Sequence, residues 1–525
     1  LAVGSTDNRI PQTANSIHFL PIFVLTKELP TPVAATLFYL QRNMKKETVL
    51  SNYQSQSGIW DEMRGEHDVR QQYKRICDQI CALDTATLVQ KETQASELFM
   101  NQGITFTVYS DNAGIERIFP FDIIPRIITA AEWEQIETGI KQRLKALNLF
   151  LKDIYSDQQI LKDRIIPAEL IASCPQFTRE VFGIKVPHDI YVHISGIDLI
   201  RGQDGKFYIL EDNLRTPSGV SYMLENREVT KRIFPDLLSS NNVRMVSNYP
   251  LILHNILNSL SPRQVSNPCV VLLTPGIFNS AYYEHTFLAR QMGIPLVEGR
   301  DLMVENHKVY MKTTQGPEQV DVIYRRIDDE YIDPLVFNPN SILGVSGIMS
   351  AYRKGNVALV NAVGNGVADD KAVYAYVPNM IKYYLNEEPI LPNVPTYQMV
   401  DSDARHYVFE NIQQMVLKRT NQSGGYGMLM GHKASEEDLV KTKKEVEADP
   451  RNFIAQPIIQ LSTVPCFIDG QFRPRHVDLR PFALCGPDGI HIVPGGLTRV
   501  ALREGSLVVN SSQGGGSKDT WVADF

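Results

Sequence analysis

The chain has 525 residues, too many for a single hydrophobic core, and its apolar (43%) and charged (21%) fractions exclude wholesale disorder. Its 52 basic and 59 acidic side chains are interspersed and sum to −7, so no basic surface points to nucleic acid. No apolar run reaches the ~18 residues a membrane helix requires, and the six cysteines lack metal or redox spacing, which reads as reduced core thiols in a cytoplasmic protein.

Residues 1–47 carry scattered proline and apolar residues without period, and the first methionine is Met44. Two readings stand: Met44 is the native start, or the leading stretch is a variable extension. From about residue 67 the pattern turns helical. In "TAAEWEQIETGIKQRLKALNLFLKDIYSD" Thr129 and Glu132 make a capping box, and Trp133, Ile136, Ile140, Leu144, Leu147, Leu151 and Ile154 recur at helical steps. This predicts a long helix with one buried face, a scaffold element without chemistry.

Next, "YVHISGIDLIR" and "KFYILED" read as strands joined by "GQDGK", whose Asp-Gly is a hairpin signal. Alternation sends Glu211 and Asn213 to one face and Asp212 to the other, and a hairpin can set Asp198 opposite the first two. Three hard oxygen donors converging in this way suit Mg²⁺ that also binds phosphate oxygens. The bland alternative is that they cap turns or pair with Arg215.

From residue 268, "CVVLLTPG", "SAYYEHTFLARQMG", "PLVEG" and "DVIYRRID" alternate strand and helix. They predict a small doubly wound sheet, with Arg325 and Arg326 near the carboxyl end of one strand, where ligand-facing groups are expected. Beyond 346, "VLKRTNQSGGYGM" sets Lys418 at a strand end before a turn holding Gly424, Gly425 and Gly427. Backbone N–H groups can crowd an anion there, although an ordinary hairpin turn is the commoner source of such a motif taken alone. Lys371 heads a helix in "ADDKAVY", Gln456 interrupts the strand "FIAQPII" before a proline, and Arg480 in "HVDLRPF" stands beside Asp478 as an ion-pair partner. "GNGVAD" is a partial dinucleotide fingerprint only, and Ser423 lacks the G-x-S-x-G context of a nucleophile.

Together these residues resemble the circularly permuted ATP-grasp family, type 2, related to glutathionylspermidine synthase. Lys371, Lys418 with "SGGYG", "AQP", "DLR" and "NSSQGGG" follow the order of an ATP-grasp ligase, while the closing hairpin "GIDLIRGQDGKFYILEDN" comes first. The resemblance covers about residues 60–525. It implies an α/β (α+β) fold, a circularly permuted ATP-grasp with an inserted small Rossmann-like (pre-ATP-grasp) domain and helical N-terminal elements. The implied divisions are the leader 1–47, a helical region plus metal-binding half at 48–265, the Rossmann-like domain at 266–345 and the ATP-binding half at 346–525.

The resemblance further implies ATP and Mg²⁺ as cofactors. Lys371 and Lys418 would neutralise the α and β phosphates, Ser423, Gly424, Gly425, Tyr426 and Gly427 would fold over them, and backbone near Gln456 would read adenine. Asp198, Glu211 and Asn213 would hold the metal. Arg215, Arg325, Arg326 and Arg480 are its candidates for the transferring phosphoryl group or the acceptor carboxylate. The implied reaction joins a small-molecule or peptide carboxylate to an amine through an acyl phosphate. A catalytically silent ATP-binding scaffold, working with an alpha-E domain protein, is the alternative; neither nucleic acid nor membrane is an expected partner.

Overall fold

The computed structural model describes residues 48–110, 113–420, 427–509 and 515–524, except for the side chains of 106–117. Among the described residues two helices, Gln71–Cys81 and Thr85–Asn101, come first, the second capped by Asp84, whose carboxylate accepts from Thr87 N. A hairpin of β1 (Thr105–Ser110) and β2 (Ala113–Ile118) leads to β3 (Phe121–Thr129). The predicted long helix runs over Ala130–Ile154, and the capping box is reciprocal: Glu132 N donates to Thr129 Oγ1 at 3.2 Å and Thr129 N to Glu132 Oε2 at 3.0 Å. Trp133, Ile136, Ile140, Leu144, Leu147, Leu151 and Ile154 are all fully buried, each side chain contributing roughly 1.5–3 kcal/mol.

β4 (Ile194–Arg201) and β5 (Phe207–Asn213) form the predicted antiparallel pair, turning through Gly205 at a φ of 76° that favours glycine. Then come β6 (Val270–Leu273), the helix Tyr282–Met292 stopped by left-handed Gly293, and β7 (Leu296–Val297). An antiparallel sheet of β8 (Leu302–Glu305), β9 (Lys308–Thr313) and β10 (Gly316–Gln319) precedes β11 (Val322–Arg325) and β12 (Ala358–Val360). β12, β11, β6 and β7 lie side by side, all parallel, as the strand-helix-strand alternation predicts. This sheet takes β12 from beyond residue 345.

A small sheet of β13 (Tyr397–Gln398), β14 (Met415–Arg419), β15 (Leu429–Met430) and β16 (Phe453–Pro457) has the order β13-β16-β14-β15. It closes its own core, in which Leu417 and Phe453 pack with Val408 of the helix Ser402–Glu410 and with Leu439 and Val446 of the helix Glu436–Ala448. The remaining strands, β17 (Thr463–Ile468), β18 (Gln471–Arg480), β19 (Phe482–Gly486), β20 (Gly489–Ile492), β21 (Leu497–Val500) and β22 (Gly516–Ala523), return to the front of the chain. They build the sheet β20-β19-β4-β18-β21-β22-β3, with β5 beside β4 and β17 beside β18. Leu479 thereby pairs with Leu199, and β22 runs parallel to β3. Val49–Phe525 form one compact unit, and all six cysteines are free thiols.

Candidate functional site

A cavity of about 1080 Å³, counted with its open mouth, is lined by residues of β4, β5, β18 and β21 and by residues of β14, β15 and the end of β16. Alternation along β14 gives Val416 and Lys418 to the cavity and Leu417 to the core of the small sheet. On β18 and β4 the same rule buries Leu479 and Leu199 in the main core and presents Asp478, Asp198 and Ile200 to the cavity. The β4–β5 register shifts between Asp198 and Leu199, so Glu211 pairs with Asp198 while Ile209 pairs with Leu199. Leu210 is the extra residue, and both Leu210 and Glu211 line the cavity.

Part of the lining is apolar, including Met428, Met430, Ile458, Ile459, Leu461 and Leu507. The rest is charged or polar. Lys371, the first residue of the helix Lys371–Tyr374, puts Nζ 3.5 Å from Glu211 Oε2, and Lys418 Nζ donates to Gln456 Oε1 at 2.7 Å. Burial, with a smaller push from the neighbouring Lys371, brings the Lys418 ammonium down to about 8 against the pull of Glu211.

Below these groups lies a buried cluster of two carboxylates and two guanidiniums. Arg480 donates from Nε to Asp198 Oδ1 at 2.6 Å and from Nη2 to Asp198 Oδ2 at 2.8 Å, and Arg499 Nη2 reaches the same Oδ2 at 2.7 Å. Arg499 also pairs with Asp478, through Nε at 3.0 Å to each oxygen and through Nη2. Burial alone would raise the Asp198 carboxyl, but Arg480 and Arg499 outweigh it and hold the group well below the usual carboxylate range. Asp212 faces away, as alternation predicts, into a bidentate pair with Arg143 at 2.7 and 2.6 Å.

The structure therefore brings Asp198, Glu211, Lys371, Lys418, Gln456 and Arg480 together. Asn213 pairs with Gly196 across the β4–β5 ladder, on the same face as Glu211. Gly427 is described, with φ at 65°, whereas Ser423, Gly424, Gly425 and Tyr426 lie outside the described residues. Three arginines are spent elsewhere. Arg325 donates to Asn361 O and Ile327 O, both at 2.7 Å, and pairs with Asp329; Arg326 donates to Pro217 O at 2.7 Å and pairs with Glu284. Arg215 pairs with Asp369 at 2.8 Å. None of the three lines the cavity. Asn361, Pro217, Glu284 and Asp369 come from segments distant in sequence, which a strand-end rule cannot foresee, whereas Ile327 and Asp329 lie within four residues of Arg325. Arg499 was not among the predicted site residues, although a lone charge inside the apolar strand "LTRVAL" is the same signal that singles out Asp198.

Among the described residues no group of three His, Cys, Asp or Glu side chains is arranged to hold a metal. A cation here would need amide and phosphate oxygens too, the donor set that Mg²⁺ takes with a bound nucleotide. Glu211 fits that requirement because it lines the cavity, and Asn213, two residues along on the same face of β5, is the amide that could add its Oδ1. Asp198 fits less well, because three N–H donors already occupy its carboxylate.

An uncharacterized protein of Synechocystis sp. is 54% identical to this chain over 453 residues, covering 86% of the chain and 94% of its relative. One of Mycobacterium tuberculosis is 52% identical over 454 residues, covering 86% and 82%. A Frankia alni protein named "Putative glutamate--cysteine ligase 2-3" is 40% identical over 467 residues, 88% of this chain but 54% of that protein. A glutathione synthetase-like effector from Globodera pallida, solved in its apo form, shares the fold at a TM-score of 0.56 and 12% identity over 84% of this chain and 98% of its own. The profile of the circularly permuted ATP-grasp type 2 family matches residues 125–501, and the chain belongs to that family.

Proposed function

We propose that the protein is an ATP- and Mg²⁺-dependent carboxylate–amine ligase. The observation that carries the reading is the cavity's composition: apolar side chains share one lining with Lys371, Lys418, Glu211, Asp198, Asp478 and Arg499, behind which Arg480 pairs with Asp198. Lys371 and Lys418 neutralise the phosphates of ATP, and the backbone beyond Gln456 borders the apolar lining for its base. Glu211 and Asn213 would hold the metal, which when bound would supply charge neutralisation to the phosphates. The oxygen of a substrate carboxylate attacks the γ phosphorus and ADP departs; the nitrogen of an amine then attacks the acyl carbon and phosphate leaves. The chain's contribution is position and charge. The Frankia relative's name, "Putative glutamate--cysteine ligase 2-3", supports this class of bond, and because the chain spans about half of that protein it does not identify the substrates.

The test is a coupled ADP-release screen over pairs of small-molecule and peptide acids and amines with Mg²⁺. ADP release that requires both an acid and an amine is expected. Tight ATP binding without ADP release over the whole panel would instead favour the scaffold reading, with an alpha-E domain protein as its partner. No helix among the described residues is long and apolar enough to cross a membrane, and the proposed setting is the cytoplasm.

Lys418 also sets a pH dependence. Its ammonium, with a folded-state value of about 8, is charged below that pH and neutral above it. Affinity for a non-hydrolysable ATP analogue, measured by calorimetry, is expected to weaken as pH rises through about 8. Lys418→Arg, which stays charged, should remove that alkaline limb. A wild-type affinity that holds constant to about pH 9.5 would contradict the assignment.

A further inference from the structure

Asp198 and Glu211 are ladder partners one strand apart, yet their surroundings differ. The Asp198 side chain is fully buried, whereas that of Glu211 is 24% exposed. A carboxylate offers about four acceptor positions, and Asp198 has given three to guanidinium N–H groups. The strand is shaped for this arrangement: a Cβ on Gly196 would stand 3.0 Å from Arg480 Cδ and 3.2 Å from Arg480 Cγ, so the bare backbone there lets Arg480 lie across β4. Asp198, Asp478, Arg480 and Arg499 sum to zero charge, and a divalent cation on Asp198 would stand directly against two guanidiniums. Arg499 lines the cavity, and its Nη1 donates to no described residue.

We propose that Asp198 is a positioning residue and not a metal ligand: held from one side by Arg480, whose Nη1 donates to Ser218 O at 3.1 Å, it fixes Arg499 to receive the transferring phosphoryl group, leaving Glu211 and Asn213 as the protein's metal ligands. The proposal rests on the ligase reading above. Buried carboxylates that lock a guanidinium fix its donors before the reaction, which is where electrostatic catalysis gains most.

Metal binding separates the two roles without recourse to turnover. Mn²⁺, as a spectroscopic substitute for Mg²⁺, is titrated into protein loaded with a non-hydrolysable ATP analogue and followed by electron paramagnetic resonance. Asp198→Asn should keep the Mn²⁺ Kd within about threefold, while Glu211→Gln weakens it at least roughly tenfold. With the acid and amine that the screen returns, Asp198→Asn should slow single-turnover ADP formation by about 10² while the analogue's Kd stays put. Should Asp198→Asn fail to fold, Arg480→Met releases two of the three donors and keeps the carboxylate. A Mn²⁺ Kd unchanged in that variant supports the anchor role, and a several-fold tightening overturns it. Equal weakening by Asp198→Asn and Glu211→Gln would overturn this proposal alone. Absence of analogue-dependent Mn²⁺ binding in the wild type would overturn the ligase reading with it.

Discussion

Replacing Lys418 by Met is expected to lower ADP formation by roughly 10²–10³ without destabilising the protein. The ammonium at the end of β14 is a preformed positive charge in a low-dielectric cleft, where it counts for more than in water. Methionine keeps the length and apolar stem of the side chain and removes only the charge and the hydrogen bond to Gln456 Oε1. Burial disfavours this charge, as its depressed value shows, so the variant should melt no lower than wild type at pH 7. The check is ADP formation with the substrates found by the screen, set beside a urea unfolding curve. Undiminished turnover would remove Lys418 from the site, and loss of activity with an equal loss of folding would leave it a structural residue only.

The second large effect concerns the floor behind the site. Arg126, on β3, donates from Nε to Glu62 Oε2 at 2.8 Å, from Nη2 to Glu62 Oε1 at 2.6 Å and from Nη1 to the carbonyl of Asp478 at 2.8 Å. Both side chains are fully buried, and Ser462 Oγ donates to Glu62 at 2.7 Å. Arg126→Leu would leave a buried carboxylate unpaired, at an expected loss of about 3–5 kcal/mol in unfolding free energy. The sign with pH follows from the native pair. Burial would raise the Glu62 carboxyl, but Arg126 outweighs it, so the folded-state value lies below the ordinary one. The pair's contribution is therefore full above the unfolded value of about 4.3 and is lost as pH falls through the folded one. In the variant the lone carboxyl is free to protonate, so its deficit should shrink between pH 7 and about pH 4.5. Urea midpoints at the two pH values test this, and a loss below about 1 kcal/mol at pH 7 would mean that water reaches Glu62.

Local signals in the sequence carried far. The capping box at Thr129, the Asp-Gly turn between β4 and β5, the Gly293 stop and the alternation that separates Glu211 from Asp212 all depend on neighbours within a few residues, and the structure agrees with each. What local pattern could not supply was partner choice. Asp198 reads from the sequence as a cation ligand because the hairpin sets it opposite Glu211 and Asn213; its partners Arg480 and Arg499 lie about three hundred residues away and meet it through the β18–β4 and β18–β21 pairings. Arg325 and Arg326 show the same dependence on distant partners: a strand-end arginine looks available until Asn361 and Glu284 are placed around it. The one-residue register shift that puts Leu210 beside Glu211 has no sequence marker, since no glycine or proline stands there.

The parallel pairing of β3 with β22 bears on how the chain reaches its fold. Phe121 and Ser517 are ladder partners, so the large sheet cannot close until the segment from Gly516 to Ala523 has been synthesised. Such distant pairing is slow to form. Until it does, β3 presents an open strand edge on the nascent polypeptide, an invitation to intermolecular association that a chaperone would have to cover. The architecture that assembles the cleft from both ends of the sequence thus also exposes the protein, during its synthesis, to a period of vulnerability that a fold built from sequential neighbours avoids.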